Sequence, residues 1–178
     1  AGPMDVIPQF GVDAGHFTPD PLPKEADNPL LHVGYAGRLV TEKGVNLLLD
    51  ALASLTHPWK ATLMGRGPAK AALQEQTEAL GITDKVDFRD PIPSGEMPAF
   101  FREIDVFVLP SVSRPNWVEQ FGRVLIEAMA SEVVVIGSDS GEIPHVIGDA
   151  GLVFPEGNSL ALCTCLEELA ANGETRNR

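Results

Sequence analysis

His32-Val33-Gly34-Tyr35-Ala36 and Lys60-Ala61-Thr62-Leu63-Met64 are two apolar runs of strand length on either side of an amphipathic stretch from Lys43 to Thr56. Each run stops at a glycine, Gly37 in the first case and Gly65 in the second, and the stretch between them carries helical periodicity. Strand, helix and strand in that order form a βαβ unit, whose crossover brings the two strands parallel within one sheet.

The same alternation continues outward. Strands are predicted at 85–88, 105–109, 132–136 and 152–154, and helices at 68–80, 95–103, 121–130, 142–147 and 158–172. Pro68 stands at a first helical position and Gly81 just past a last one, as helix boundaries favour. The fold class that follows is α/β: a Rossmann-like, doubly wound, largely parallel six-stranded sheet with helices on both faces, occupying residues 31–178. Residues 1–30 are rich in proline and read as an irregular lead-in packed on that domain, with only Asp5 to Pro8 reading as a short strand or extended contact. The opening Ala1-Gly2-Pro3, without methionine, fits a processed or excised piece.

Composition narrows the function. The 25 acidic residues against 13 basic ones leave a net charge of −12, which repels nucleic acid. Any polyanion held here is small enough for two or three cations, which is the scale of a nucleotide. Cys163-Thr164-Cys165 has neither disulfide nor metal-ligand spacing, so both thiols are read as free, in keeping with a reducing, cytoplasmic location. No apolar run approaches the ~20 residues of a membrane span. His16, His32, His57 and His145 are scattered, so no metal is implied, and neither a nucleophile elbow nor a Walker-type loop is present.

In a doubly wound sheet, ligands bind beyond the carboxyl ends of the strands, which directs attention to five loops. The first, Gly37 to Gly44, carries Arg38 and Lys43, a fork and a point charge suited to phosphate; the competing reading is two solvated cations beside Glu42. The second, Gly65-Arg66-Gly67-Pro68, begins like a dinucleotide fingerprint but has Lys70 where the third glycine belongs. Its glycines permit either a close ligand approach or a plain turn. In the third, Pro91 and Pro93 stiffen a backbone able to read a flat base edge or simply to connect. The fourth, Pro110 to Gly122, is the longest, and the helix opening at Phe121 or Gly122 offers amides to an anion. On that helix Val124, Leu125, Ala128 and Met129 form the core stripe, leaving Arg123 and Glu127 opposite as a surface ion pair; contact of Glu119 or Glu127 with a ligand is the alternative. The fifth, Gly137 to Pro144, offers small polar groups.

These stretches together resemble the C-terminal, nucleotide-sugar-binding domain of retaining GT-B glycosyltransferases, family four, also known as glycosyl transferases group 1. The likeness runs from Val6 to Asn172 through six segments in family order: Val6-Ile7-Pro8…Gly11-Val12-Asp13, Gly37-Arg38…Glu42-Lys43-Gly44, Gly65-x-Gly67-Pro68, Asp105 to Ser111, Glu119-Gln120-Phe121-Gly122…Glu127-Ala128-Met129-Ala130, and Ser138-x-Ser140-Gly141-x-Ile143-Pro144…Ile147-Gly148-Asp149. The resemblance implies catalytic roles for Arg38, Lys43 and Glu119, the cations on the donor diphosphate and the carboxylate on the transferred sugar. It also implies donor contacts from Gly37, Gly67, Pro91, Ile92, Phe121, Gly122 and Glu127, with Glu127 on the ribose. The implied substrate is a UDP-, GDP- or ADP-sugar, used with retention of configuration and without metal or other cofactor. The implied partner is an N-terminal acceptor domain absent from this chain, through which any membrane contact would run, so the isolated chain binds donor without turnover. Three positions depart from the family pattern: Gln9-Phe10 where asparagine is usual, and Asp90 and Glu132 where glycine is usual. A stand-alone nucleotide or sugar receptor, or a sugar-nucleotide epimerase or phosphorylase of similar fold, stays open at this point.

Overall fold

The structure is a computed structural model that describes residues 11–19 and 30–171. Six strands form one parallel sheet: β1 (Leu31–Ala36), β2 (Trp59–Met64), β3 (Val86–Arg89), β4 (Val106–Leu109), β5 (Val134–Ser138) and β6 (Gly151–Phe154). Their spatial order is β3-β2-β1-β4-β5-β6, so the chain winds outward from β1 in one direction and then returns to wind the other way from β4. The switch point is the β1/β4 seam, where Val33 faces Val106 and Gly34 faces Phe107.

The helices are α1 (Val45–Ser54), α2 (Lys70–Ala79), α3 (Met97–Glu103), α4 (Arg123–Ala130), α5 (Ile143–Ile147) and α6 (Ser159–Ala171). α1 packs against α2 and α6, while α4 packs against α5 and β5. Helix α1 forms because Val45, Leu48, Leu49 and Leu52 recur at helical spacing and are all buried. Each such side chain contributes about 1.5–3 kcal/mol of burial, so a single Leu→Ala there is costly. None of the described helices is long and apolar enough to cross a membrane.

The strands seen lie within one or two residues of those predicted, and three boundary shifts have identifiable causes. Lys43 ends a short 3-10 turn (Thr41–Lys43) and α1 starts only at Val45, because Gly44 interrupts with φ 63°. A Cβ at Gly44 would lie 1.9 Å from the Pro110 carbonyl oxygen, so glycine here lets the turn press onto the loop after β4. Pro68 precedes α2 by two residues rather than opening it, since Ala69 donates its amide back to the Leu39 carbonyl at 3.0 Å. β5 starts at Val134, not 132, because Glu132 closes α4 in the left-handed conformation at φ 56°. The Glu132 amide donates to the Met129 carbonyl and the Val133 amide to that of Ala128, each at 3.0 Å, which is a Schellman closure. That geometry gives a physical reason for the glycine the family resemblance expects there.

Within the lead-in, residues 11–19 contain no helix or strand; Phe17 is nevertheless buried in the core, its ring 6.1 Å from Phe101. The extended contact anticipated at Asp5–Pro8, and Gln9-Phe10, lie outside the described residues. Cys163 and Cys165 are free thiols on α6, the first buried and the second half-buried.

Candidate functional site

The turn after β1 and the long loop after β4 meet at the switch point. The turn is tied on one side by the Leu39 amide donating to the Arg66 carbonyl at 2.8 Å. It is tied on the other by the Val112 amide donating to the Glu42 carbonyl, also at 2.8 Å. Beneath it the buried Tyr35 hydroxyl donates to the Arg38 carbonyl at 2.8 Å, and burial pushes that phenol's pKa up. The Arg38 backbone is thereby fixed while its side chain stays exposed.

Beside Arg38 opens a cavity of about 360 Å³, lined among others by Gly37, Arg38, Met64, Ile92, Val124 and Glu127, and bordered by Pro91. Its walls are mainly apolar, with the guanidinium groups of Arg38 and Arg66 and the Glu127 carboxylate as the charged groups, which is the makeup of a small-molecule site. The helical-wheel reading of Glu127 as a surface residue is corrected here. The side chain is buried on the wall facing the cavity, and its exposed partner Arg123 reaches it with Nε–Oε1 at 3.1 Å. Burial, opposed by the Arg123 guanidinium, pushes the Glu127 carboxyl above the usual range. Val124 and Met129, assigned to the core stripe, do pack against the core but are only half-buried, Val124 because it also lines the cavity.

Lys43 and Glu119 form a second cluster. Their side chains make a close ion pair and are 14% and 10% exposed, so this is neither a solvated cation nor a partner for Glu42. Ser111 donates to the same carboxylate at 2.9 Å, and Lys43 Nζ stands 5.1 Å from the centre of the Trp117 ring. The Glu119 backbone is held by the Glu142 amide, which donates to its carbonyl at 3.0 Å. Gly122 is the left-handed N-cap of α4, with φ 71°, so the helix begins at Arg123 just after Phe121 and Gly122. The Leu125 amide donates to the Gly122 carbonyl at 2.8 Å, and the amides before it stand at the positive end of the helix dipole.

Of the residues singled out from sequence, Gly37, Arg38, Pro91, Ile92 and Glu127 line the cavity, and Lys43 and Glu119 meet in the adjoining cluster. Gly67 is not on the cavity wall. A Cβ there would sit 2.1 Å from the Leu39 carbonyl oxygen, so it permits the two loops to touch each other. Asp90, where glycine is usual, pairs with Arg66 at 3.4 Å and Lys70 at 3.7 Å, and the Arg66 hydrogen bond holds its carboxyl below the usual range.

Sequence reasoning missed a sixth loop. Glu156, after β6, accepts from the Ser113 amide at 2.8 Å, and Ser113 and Ser140 hydroxyls are 3.0 Å apart. Burial disfavours the Glu156 charge, but the Ser113 and Ser140 hydrogen bonds outweigh it and hold the carboxyl low. Trp117 also went unassigned, although an aromatic two residues before Glu119 in the longest loop is a visible signal. Among the described residues no group of three or more His, Cys, Asp or Glu side chains is placed to hold a metal ion.

Comparison with known proteins agrees with this architecture. The sequence model of the family glycosyl transferases group 1 matches residues 22–178. The GDP-mannose-dependent alpha-(1-6)-phosphatidylinositol monomannoside mannosyltransferase of Mycolicibacterium smegmatis is 33% identical over 177 residues, covering 91% of this chain and 46% of that protein. The chain therefore spans less than half the length of that relative. Among solved structures, the C-terminal domain of the glycosyl transferase group 1 family protein LpcC from Francisella tularensis superposes with a TM-score of 0.80 at 26% identity, covering 94% of this chain and 91% of that one. Sucrose-phosphate synthase from Thermosynechococcus elongatus gives a TM-score of 0.79 at 26% identity, with this chain spanning 44% of it. By family match, relatives and fold, the chain belongs to the glycosyl transferases group 1 family and has the form of its C-terminal domain.

Proposed function

We propose that the chain is the donor-binding half of a retaining glycosyltransferase that moves a sugar from a nucleoside diphosphate to an acceptor held by a separate N-terminal domain. The observation that carries this reading is the meeting, at one switch point, of an apolar-walled cavity bearing Arg38 and Glu127 with the Lys43–Glu119 pair in the adjoining loops. The cavity takes the base between Met64, Ile92 and the Pro91 backbone, and Glu127 accepts from ribose hydroxyls. Arg38, Lys43 and the amides at the head of α4 hold the diphosphate, so no metal is needed there. Lys43 leaves Glu119 for the phosphate, which frees that carboxylate for hydroxyls of the sugar.

In the reaction the bond from the anomeric carbon to the diphosphate oxygen breaks and a bond to the acceptor oxygen forms on the same face. The acceptor proton passes to the departing diphosphate, and the two cations stabilise the charge that develops on it. The protein is cytoplasmic in this reading, and any membrane contact belongs to the acceptor domain. UDP-, GDP- and ADP-sugars all fit the chemistry. The GDP-mannose dependence named for the M. smegmatis relative makes GDP the first to test.

Calorimetric titration of the chain with GDP, UDP and ADP should give micromolar-to-millimolar binding of one of them. Arg38→Ala and Lys43→Ala should each weaken it about tenfold or more, the loss of one charge-assisted contact of ~1.5–3 kcal/mol. Unchanged affinity in both variants rejects the assignment.

A further inference from the structure

We propose that Trp117 is a positioning residue for Lys43, holding its ammonium in the cleft both before and after an anion replaces Glu119. This rests on the donor-binding reading above. A lysine is a point charge on a flexible four-carbon stem, so its place in an open cleft depends on what surrounds it. Among the described residues Lys43 has two such partners: the Glu119 carboxylate and the face of the Trp117 ring, 5.1 Å from Nζ to the ring centre. The carboxylate is a partner that a phosphate must displace. The ring is not, because it carries no charge for a phosphate to compete with, and indole is the strongest aromatic partner for a cation.

The ring is itself placed firmly. Arg114 and Trp117 exchange backbone hydrogen bonds, Arg114 amide to Trp117 carbonyl at 2.7 Å and Trp117 amide to Arg114 carbonyl at 3.0 Å, so Pro115-Asn116 form a tight turn. Just before that turn, Ser113 is anchored to the loops after β5 and β6 through the Ser140 hydroxyl and the Glu156 carboxylate. The loop thus offers a fixed, half-buried indole at the point where the cation must stay. Its neighbours Asn116 and Val118 are exposed, so within this turn the indole alone turns inward.

The test is a double-mutant cycle on affinity for the nucleoside diphosphate that binds best among GDP, UDP and ADP. Trp117→Leu is expected to weaken binding about threefold to tenfold in the natural background, and Trp117→Phe to recover most of that loss. In a Lys43→Ala background, Trp117→Leu is expected to add less than about twofold, since the ring then has no cation to hold. If Trp117→Leu fails to fold by thermal melt, Trp117→Gln takes its place in the cycle. Unchanged affinity on loss of the ring, or an equal loss in both backgrounds, overturns the positioning role while leaving the donor site standing. No effect of Lys43→Ala itself overturns the use of Lys43 in donor binding, and the Trp117 proposal with it.

Discussion

The two ends of the sheet treat buried polar groups differently. At the amino end, His32 is buried on β1 and every polar atom it has is used inside the fold. Its Nδ1–H donates to the Glu103 carbonyl at 2.6 Å, its Nε2 accepts from the Thr62 hydroxyl at 2.8 Å, and its amide donates to the Asp105 carboxylate at 2.8 Å. At the carboxyl end, the equally buried Glu127 has an arginine partner that is itself largely in solvent, and Lys43 is balanced by a carboxylate that, in the donor-binding reading, gives way to phosphate. A polar group with all its valences satisfied locks strands together, whereas one with capacity to spare can take a further partner. Substitutions at the two ends should therefore have opposite signatures, one in stability and the other in affinity.

The largest stability effect is expected from His32→Leu. It orphans the Glu103 carbonyl and the Thr62 hydroxyl at a cost of about 1–3 kcal/mol, measured by urea unfolding, with nucleotide affinity unchanged. An equal loss of affinity would erase the distinction between the ends. The same residue sets a pH dependence. Burial, the largest influence, lowers the His32 pKa from 6.5, so the folded ring stays neutral while the unfolded one takes up a proton. Its contribution is present above pH 6.5 and is lost as pH falls toward the depressed folded value, a slope that His32→Leu should remove.

Next in size is Glu132→Gly, also remote from the cavity that Arg38 and Glu127 line. Relief of the left-handed backbone at φ 56° should exceed the entropic cost of glycine and stabilise by about 0.5–1 kcal/mol, again without effect on affinity. Smallest in stability, and opposite in kind, is Glu127→Gln. Because burial raises this carboxyl's pKa, its ionisation works against folding, so the amide variant should melt higher near neutral pH. That gain should vanish as pH falls below the ordinary carboxylate range, where the glutamate is protonated in both states. The same variant should bind nucleotide more weakly. A variant that melts lower, or binds as tightly, would mean that Glu127 is an ordinary structural group.

Most of this architecture was legible in the sequence because βαβ units announce themselves through periodicity and glycine punctuation. The turn carrying Arg38 and Lys43 could be placed because it directly follows the first apolar run. The burial of Glu127 was not legible. A helical wheel ranks faces by apolar content, and α4 has a face buried against a cleft rather than against the core. Nor was the Lys43–Glu119 pairing, which joins residues 76 apart in sequence through loops whose meeting depends on Gly44. The Ser113–Glu156 contact was hidden for the same reason, since it ties the loop of one strand to that of another two places along the sheet.

The short turn from Gly37 to Gly44 is stitched to the β2 side through Leu39 and to the β4 side through Glu42. It works like a strap across a seam, with one positive group near each buckle. Both positive groups are therefore carried on a segment anchored at two points, so the loops on either side of the switch point together set where each charge sits.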